Sequence, residues 1–145
     1  MKIEPLQKEH IAALMPLEKA CFGESAWSEE GFLSELSNDS SVCFCAVKNG
    51  EVLGCIAMNR ADTQGFISKV MTHPNYRRQG VAGALLKKLT DFALESGMRE
   101  LTLEVRESNT AAIALYTASG FENLGKRRNF YRNPKEDAVI MTKYL

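Results

Sequence analysis

The sequence predicts a mixed α/β fold built on one sheet, and three observations carry that expectation. Asn49-Gly50 separates two β-rich runs, Val42 to Val47 and Val52 to Met58. Apolar residues recur at three and four from Val81 through Ala93, and strict alternation follows over Leu101 to Val105. An Asn-Gly between apolar runs marks a hairpin, a three-and-four repeat marks an amphipathic helix, and a period of two marks a half-buried strand. The run Gly65 to Thr72, the helix after it and the strand at Leu101 should form a right-handed parallel crossover.

The elements follow in order. Ile3 opens a short strand. Ile11, Leu14, Met15, Leu17 and Glu18 share a helical spacing that Gly23 ends. Ser28, with Glu29 and Glu30 behind it, is an N-cap with acidic residues in the first turn, and it leads into a second helix through Leu36. Asn38 to Ser41 breaks the chain before the hairpin. The extended run from Gly65 stops at His73-Pro74, since proline turns the preceding residue away from helix. Gly97 ends the long helix, Asn109 caps another through Tyr116, and Ser119-Gly120 closes it. Two last strands, around Phe121 to Tyr131 and Ala138 to Tyr144, flank the polar turn Asn133 to Asp137.

At 145 residues the chain matches one domain, 1–145, large enough to fold without disulfides or a structural metal. Cys21, Cys43, Cys45 and Cys55 have no metal-ligand spacing and read as free, mostly buried thiols; Cys43 and Cys45 share one face of an extended segment. With 18 basic and 18 acidic side chains there is no whole-domain footprint for nucleic acid or membrane. No apolar run reaches the roughly 20 residues of a membrane span, and Met1 to Pro5 lacks a signal-peptide core. A cytoplasmic protein is expected. The sequence carries no signal for an oligomeric state.

The richest segment is Tyr76-Arg77-Arg78-Gln79-Gly80-Val81-Ala82-Gly83, which joins a strand to the first turn of a helix. Unpaired N–H groups and the helix dipole favour an anion there, small residues keep the backbone open, and Arg77 and Arg78 can add charge-assisted contacts. A solvated basic helix start fits these residues equally well. The run matches neither G-x-G-x-x-G nor G-x-x-x-x-G-K-[ST], which counts against a Rossmann dehydrogenase and a P-loop NTPase.

The run does resemble the [RQ]-x-x-G-x-[GA] signature of the GNAT acetyltransferases, through Arg77, Gly80 and Ala82. The element order agrees along the whole chain. Leu103 to Asn109, Ala111 to Tyr116, Gly120-Phe121, Arg127 to Tyr131 and Glu136 to Met141, with Trp27-Ser28, are similar to the branch of that superfamily that acetylates the N-terminal alanine of a small-subunit ribosomal protein, number eighteen. The resemblance implies a GNAT fold, with a mixed, mostly antiparallel central sheet and helices on both faces. It also implies acetyl-CoA as co-substrate and no metal. The turn Arg77, Arg78, Gln79, Gly80, Val81, Ala82 and Gly83 would wrap the pyrophosphate, and the backbone of Val70, Met71 and Thr72 would pair with the pantetheine arm. Asn109 would cap its helix and reach the cofactor.

Making an amide from an amine and a thioester needs a neutral amine, a stabilised oxyanion and a proton for the departing thiolate. Alternation places Glu104 opposite Leu103 and Val105, beside the crossover. From spacing alone it could as well pair with Arg106 or Lys69 on a solvated face; the resemblance makes it the general base. Tyr116 could equally be a core tyrosine, and the resemblance makes it the general acid. The Arg127 to Tyr131 segment could be no more than a basic strand edge; the resemblance makes it the wall of a peptide groove with Trp27, giving Trp27, Arg128 and Tyr131 as acceptor-binding residues. Phe130 departs from the tyrosine pair common at that point. A GNAT acting on lysine or a small amine, and a non-catalytic acetyl-CoA-binding module, are the competing readings; retention of Glu104 and Tyr116 weighs against the second.

Overall fold

A computed structural model describes residues 1–145. Seven strands form one sheet in the order β1-β2-β3-β4-β5-β7-β6. They are β1 (Lys2–Pro5), β2 (Ser41–Lys48), β3 (Glu51–Ala61), β4 (Gln64–Thr72), β5 (Glu100–Arg106), β6 (Glu122–Tyr131) and β7 (Glu136–Tyr144). The helices are α1 (Ile11–Phe22), α2 (Glu29–Ser37), α3 (Val81–Glu95) and α4 (Thr110–Ala118). β4 and β5 are the parallel pair, and every other pairing is antiparallel. No helix is long and apolar enough to cross a membrane.

Local chemistry accounts for most of the element ends. Asn49 and Gly50 both have positive φ, 51° and 79°, and Lys48 pairs directly with Glu51. That is a two-residue hairpin turn whose twist matches the strands. The Ser28 hydroxyl accepts from the Gly31 N–H, and the Asn109 side-chain oxygen Oδ1 accepts from the Ala112 N–H, so both expected caps form. Gly23 ends α1 with φ 54°. Pro16 lies inside α1 on its exposed side, where water can serve the carbonyl left without a donor.

Alternation along the strands divides the core between the two faces. Phe44, Leu53 and Ile56 pack with α3 and α4, against Leu85, Leu89 and Tyr116. Cys45, Val52 and Cys55 pack with α1 and α2, against Leu14, Leu17 and Phe32. All four cysteines are free; Cys45 and Cys55 are buried, Cys43 packs beside Cys45 on the α1 face, and Cys21 is partly exposed.

Two irregularities in the sheet prepare the site. Ala57 pairs with Lys69 but Met58 pairs with Ile67, so Ser68 is an extra residue bulged out of β4. The bulge reverses the facing of the strand. Ile67 and Val70 lie on the α3 face, while Met71 belongs to the α1 cluster and Lys69 reaches Glu18 of α1. The second irregularity is that β4 and β5 pair only from Gln64 opposite Glu100 to Phe66 opposite Thr102. Beyond that point the two strands diverge. The β5-facing polar groups of Ile67 to Thr72 are left without a strand partner, and the sheet opens as a wedge.

β7 inserts between β5 and β6, so the last hairpin meets β5 through its second strand. Both the insertion and the bulge depart from what the linear pattern suggests, because each is set by long-range pairing.

Candidate active site

The wedge between β4 and β5 widens into a cleft of about 1020 Å³. One wall is Ile67 to Val70 of β4 and the other is Leu103 to Arg106 of β5. Cys21 to Ser25 and Trp27 close one end, Asn109, Ala112 and Tyr116 of α4 another, and Phe130 to Asn133 of the last hairpin form a rim.

Glu104 enters from the α1 face, since its neighbours Leu103 and Val105 are buried in the α3 cluster. Its side chain is 9% exposed, and Oε1 lies 3.4 Å from Arg127 Nε. Oε2 is buried with no hydrogen-bond partner. A carboxylate oxygen in that position is costly unless something in the cleft supplies a proton or a donor. The two alternative partners are engaged elsewhere: Lys69 pairs with Glu18, and Arg106 with Glu136.

Tyr116 approaches from the opposite face of the sheet. Its ring packs in the α3 cluster against Phe121, and its edge borders the same cleft. Burial, with Tyr131 adding to it, pushes the Tyr116 phenol up to about 12. The phenol therefore keeps its proton throughout the neutral range. A glutamate and a tyrosine on opposite faces can meet in one cavity because β4 and β5 diverge there.

Tyr131 is half-buried, and burial followed by the nearby Glu104 charge raises its phenol above the ordinary value, with Arg106 opposing. Arg106 organises that rim. Its guanidinium donates to the carbonyls of Pro134 at 2.9 Å and Arg132 at 3.1 Å, and it lies 4.5 Å from the Tyr131 ring centroid. Trp27 packs against Phe32 and borders the other side. Asn109 borders the cleft while its side-chain Oδ1 caps α4, which leaves its side-chain Nδ2–H groups available.

The turn Arg77 to Gly83 lies at the head of α3, outside this cleft. Arg78 has φ 63° and Gly80 has φ 81°, a left-handed position where glycine is unstrained. The N–H groups of Val81, Ala82 and Gly83 donate to no other group of the protein. A Cβ built at Gly80 or Gly83 would meet no atom within 4 Å, so the space in front of the turn is open. Unpaired N–H groups at a helix start, two flanking arginines and an adjoining strand edge without a strand partner fit an extended cofactor with a pyrophosphate at one end.

Val70, Trp27, Glu104, Asn109, Tyr116 and Tyr131 thus share the cleft. Met71 and Thr72 continue the open edge of β4 toward the turn, with the Met71 side chain buried among α1 and α2. Arg128 is exposed and does not border the cleft; Arg132 does, on the rim, while Arg127 lies beside Glu104 outside the lining. Arg106, Lys69 and Glu18 were not anticipated as site residues. Arg106 could have been found, because alternation puts it on the face of Glu104.

Residues 11–121 match the model of the Acetyltransferase (GNAT) family. The chain belongs to the GNAT acetyltransferase family. It is 37% identical over 117 residues to the ribosomal protein bS18-alanine N-acetyltransferase of Escherichia coli K12, covering 79% of this chain and 78% of that protein. It is 35% identical over 123 residues to the N-alpha-acetyltransferase RimI of Mycobacterium tuberculosis, covering 82% and 76%. The crystal structure of the ribosomal-protein-S18-alanine N-acetyltransferase from Escherichia coli superposes with a TM-score of 0.90 at 32% identity, covering 99% of this chain and 92% of that one. The mixed sheet with its single parallel pair is the fold of this GNAT family member. Acetyltransferases of the family use acetyl-CoA.

Proposed function

We propose that residues 1–145 act as one domain that transfers the acetyl group of acetyl-CoA to the N-terminal α-amino group of a protein, namely the N-terminal alanine of ribosomal protein bS18. The orphaned Oε2 of Glu104 carries the mechanistic part of this reading. The names of the two relatives support the acceptor.

When bound, acetyl-CoA supplies an acyl thioester whose carbonyl carbon accepts the amine and whose sulfur leaves. The turn Arg77 to Gly83 holds the pyrophosphate on its unpaired N–H groups. The free edge of β4 at Val70 to Thr72 aligns the arm, and Asn109 adds an amide donor. An α-amino group has a pKa of about 7.7 to 8.0, so much of it is protonated at neutral pH. Glu104 Oε2 takes that proton, directly or through water. Tyr116 would give its phenolic proton to the departing sulfur and recover one from the acylated nitrogen, directly or through water. Trp27 and Tyr131 flank the acceptor's first residue, with Arg132 on the rim in the place expected of Arg128.

Coenzyme A release tests the reading against a bS18 N-terminal peptide beginning with Ala, the same peptide with a blocked N-terminus, a lysine peptide and spermidine. Turnover of the open Ala peptide is expected. Equal turnover of the blocked peptide would sink the N-terminal assignment, and binding of acetyl-CoA without turnover of any amine would indicate a regulatory module.

A further inference from the structure

The deepest charge of the cleft takes no part in the reaction above. The Ser68 bulge turns Lys69 toward α1, where its Nζ donates to both oxygens of Glu18, at 2.5 and 2.8 Å. The same ammonium lies 4.1 Å from the Phe22 ring centroid and 4.3 Å from that of Trp27. The side chains of Lys69 and Glu18 are 3% and 1% exposed. A carboxylate and two aromatic faces around one ammonium are the chemistry by which alkylammonium ions are bound.

The parts come from two places in the chain. Glu18, Phe22 and Trp27 belong to one segment, with Glu18 and Phe22 four residues apart on α1. The Trp27 N–H donates to Glu18 Oε1 at 2.7 Å, so the carboxylate also holds the aromatic wall. Only the cation comes from elsewhere, from β4. Lys69, Phe22 and Trp27 border the cleft and Glu18 does not, which places Lys69 between the Glu18 carboxylate and the acceptor space. Burial lowers the Lys69 pKa while Glu18 opposes the shift, as expected of a cation kept in a dry pocket by its counter-ion.

We propose that Lys69 plugs an alkylammonium-binding pocket built by Glu18, Phe22 and Trp27 on the cleft wall, and so excludes cationic amines such as polyamines and lysine side chains as acceptors. Shortening Lys69 leaves the frame held by the Trp27 N–H and opens the carboxylate to a cation from solution. The exclusion rests on the cleft being the acceptor site; the pocket itself does not.

Trp27 is the single tryptophan of the chain, so its fluorescence reads the pocket directly. Lys69→Ala titrated with n-butylammonium chloride at neutral pH should show a saturable fluorescence change and a rising Tm. Wild type should show neither, and Lys69→Ala combined with Glu18→Gln should show no saturable change. If Lys69→Ala needs butylammonium to fold, recovery of its structure by that ion supports the pocket equally. Lys69→Ser, smaller in perturbation, is measured in parallel. A wild-type response equal to the variants', or no response from either single variant at any concentration, overturns the proposal.

Coenzyme A release then tests exclusion: Lys69→Ala should turn over spermidine at least tenfold faster than wild type. Butylammonium binding with no gain on spermidine overturns the exclusion. Failure of wild type on the Ala peptide would instead strike the acceptor reading and leave the fluorescence result standing.

Discussion

Two glutamates reach toward the same cleft, and their surroundings differ in every respect that matters to chemistry. Glu18 accepts two hydrogen bonds from Lys69 and one from the Trp27 N–H, at 1% exposure. Glu104 has one distant, largely exposed arginine at 3.4 Å and an oxygen with no partner. The closed pair fills its lone pairs within the protein and acts as structure. The open one keeps a basic oxygen for something that arrives. Burial alone would rank Glu18 as the more unusual residue; unfilled hydrogen-bonding capacity, not depth, is what the proposed general-base role of Glu104 rests on.

The sharpest way to break this contrast is Glu104→Gln. Loss of a general base should lower kcat/KM for the Ala peptide by about a hundredfold to ten-thousandfold, with acetyl-CoA affinity unchanged. Steady-state kinetics with calorimetric cofactor binding checks it, and an unchanged rate across pH 6 to 9 would remove Glu104 from the mechanism.

Glu18→Gln should act on the opposite axis. Leaving Lys69 charged without its partner should cost about 3–5 kcal/mol of stability, read by urea denaturation. Glu18→Leu with Lys69→Met should recover most of that loss, since an apolar pair of similar volume carries no buried charge.

Tyr116→Phe keeps the ring in the core and removes one proton. Its rate should fall while its Tm shifts little, because the hydroxyl donates to no protein group. With the phenol pushed up to about 12, the rate should rise as the α-amino group loses its proton and then stay level to pH 10. An unchanged rate for Tyr116→Phe would show that Tyr116 is not the proton donor.

The smallest effect belongs to Arg127→Ala. The arginine side chain is 59% exposed, so its pairing with Glu104 should contribute under about 1 kcal/mol to stability. A larger loss in urea denaturation would mean that Glu104 is a paired structural carboxylate after all.

Much of the fold was legible in the residues. Asn49-Gly50, the caps Ser28 and Asn109, and the glycine ends at 23 and 97 are decided by backbone chemistry within a few residues, and each stands where the pattern put it. The face of Glu104 was legible too, because a period of two needs only its neighbours. Lys69 was not. One bulged residue, Ser68, changes which face it takes, and that bulge exists only as a mismatch with β3. Arg128 was singled out over Arg132 for a similar reason: register shifts within the β6–β7 pairing set which arginine of the hairpin meets the cleft.

By itself the sequence determined the elements, their caps, the anion-accepting turn at Gly80 and the resemblance that names the donor. Only the tertiary structure decided that β4 and β5 part after Phe66, that β7 enters between β5 and β6, and that Glu18 is satisfied while Glu104 is not. Caps and periods are local, set by torsions and the next few side chains. A wedge, a register and an unfilled lone pair are properties of pairs far apart in the chain, and they exist only once those pairs have met.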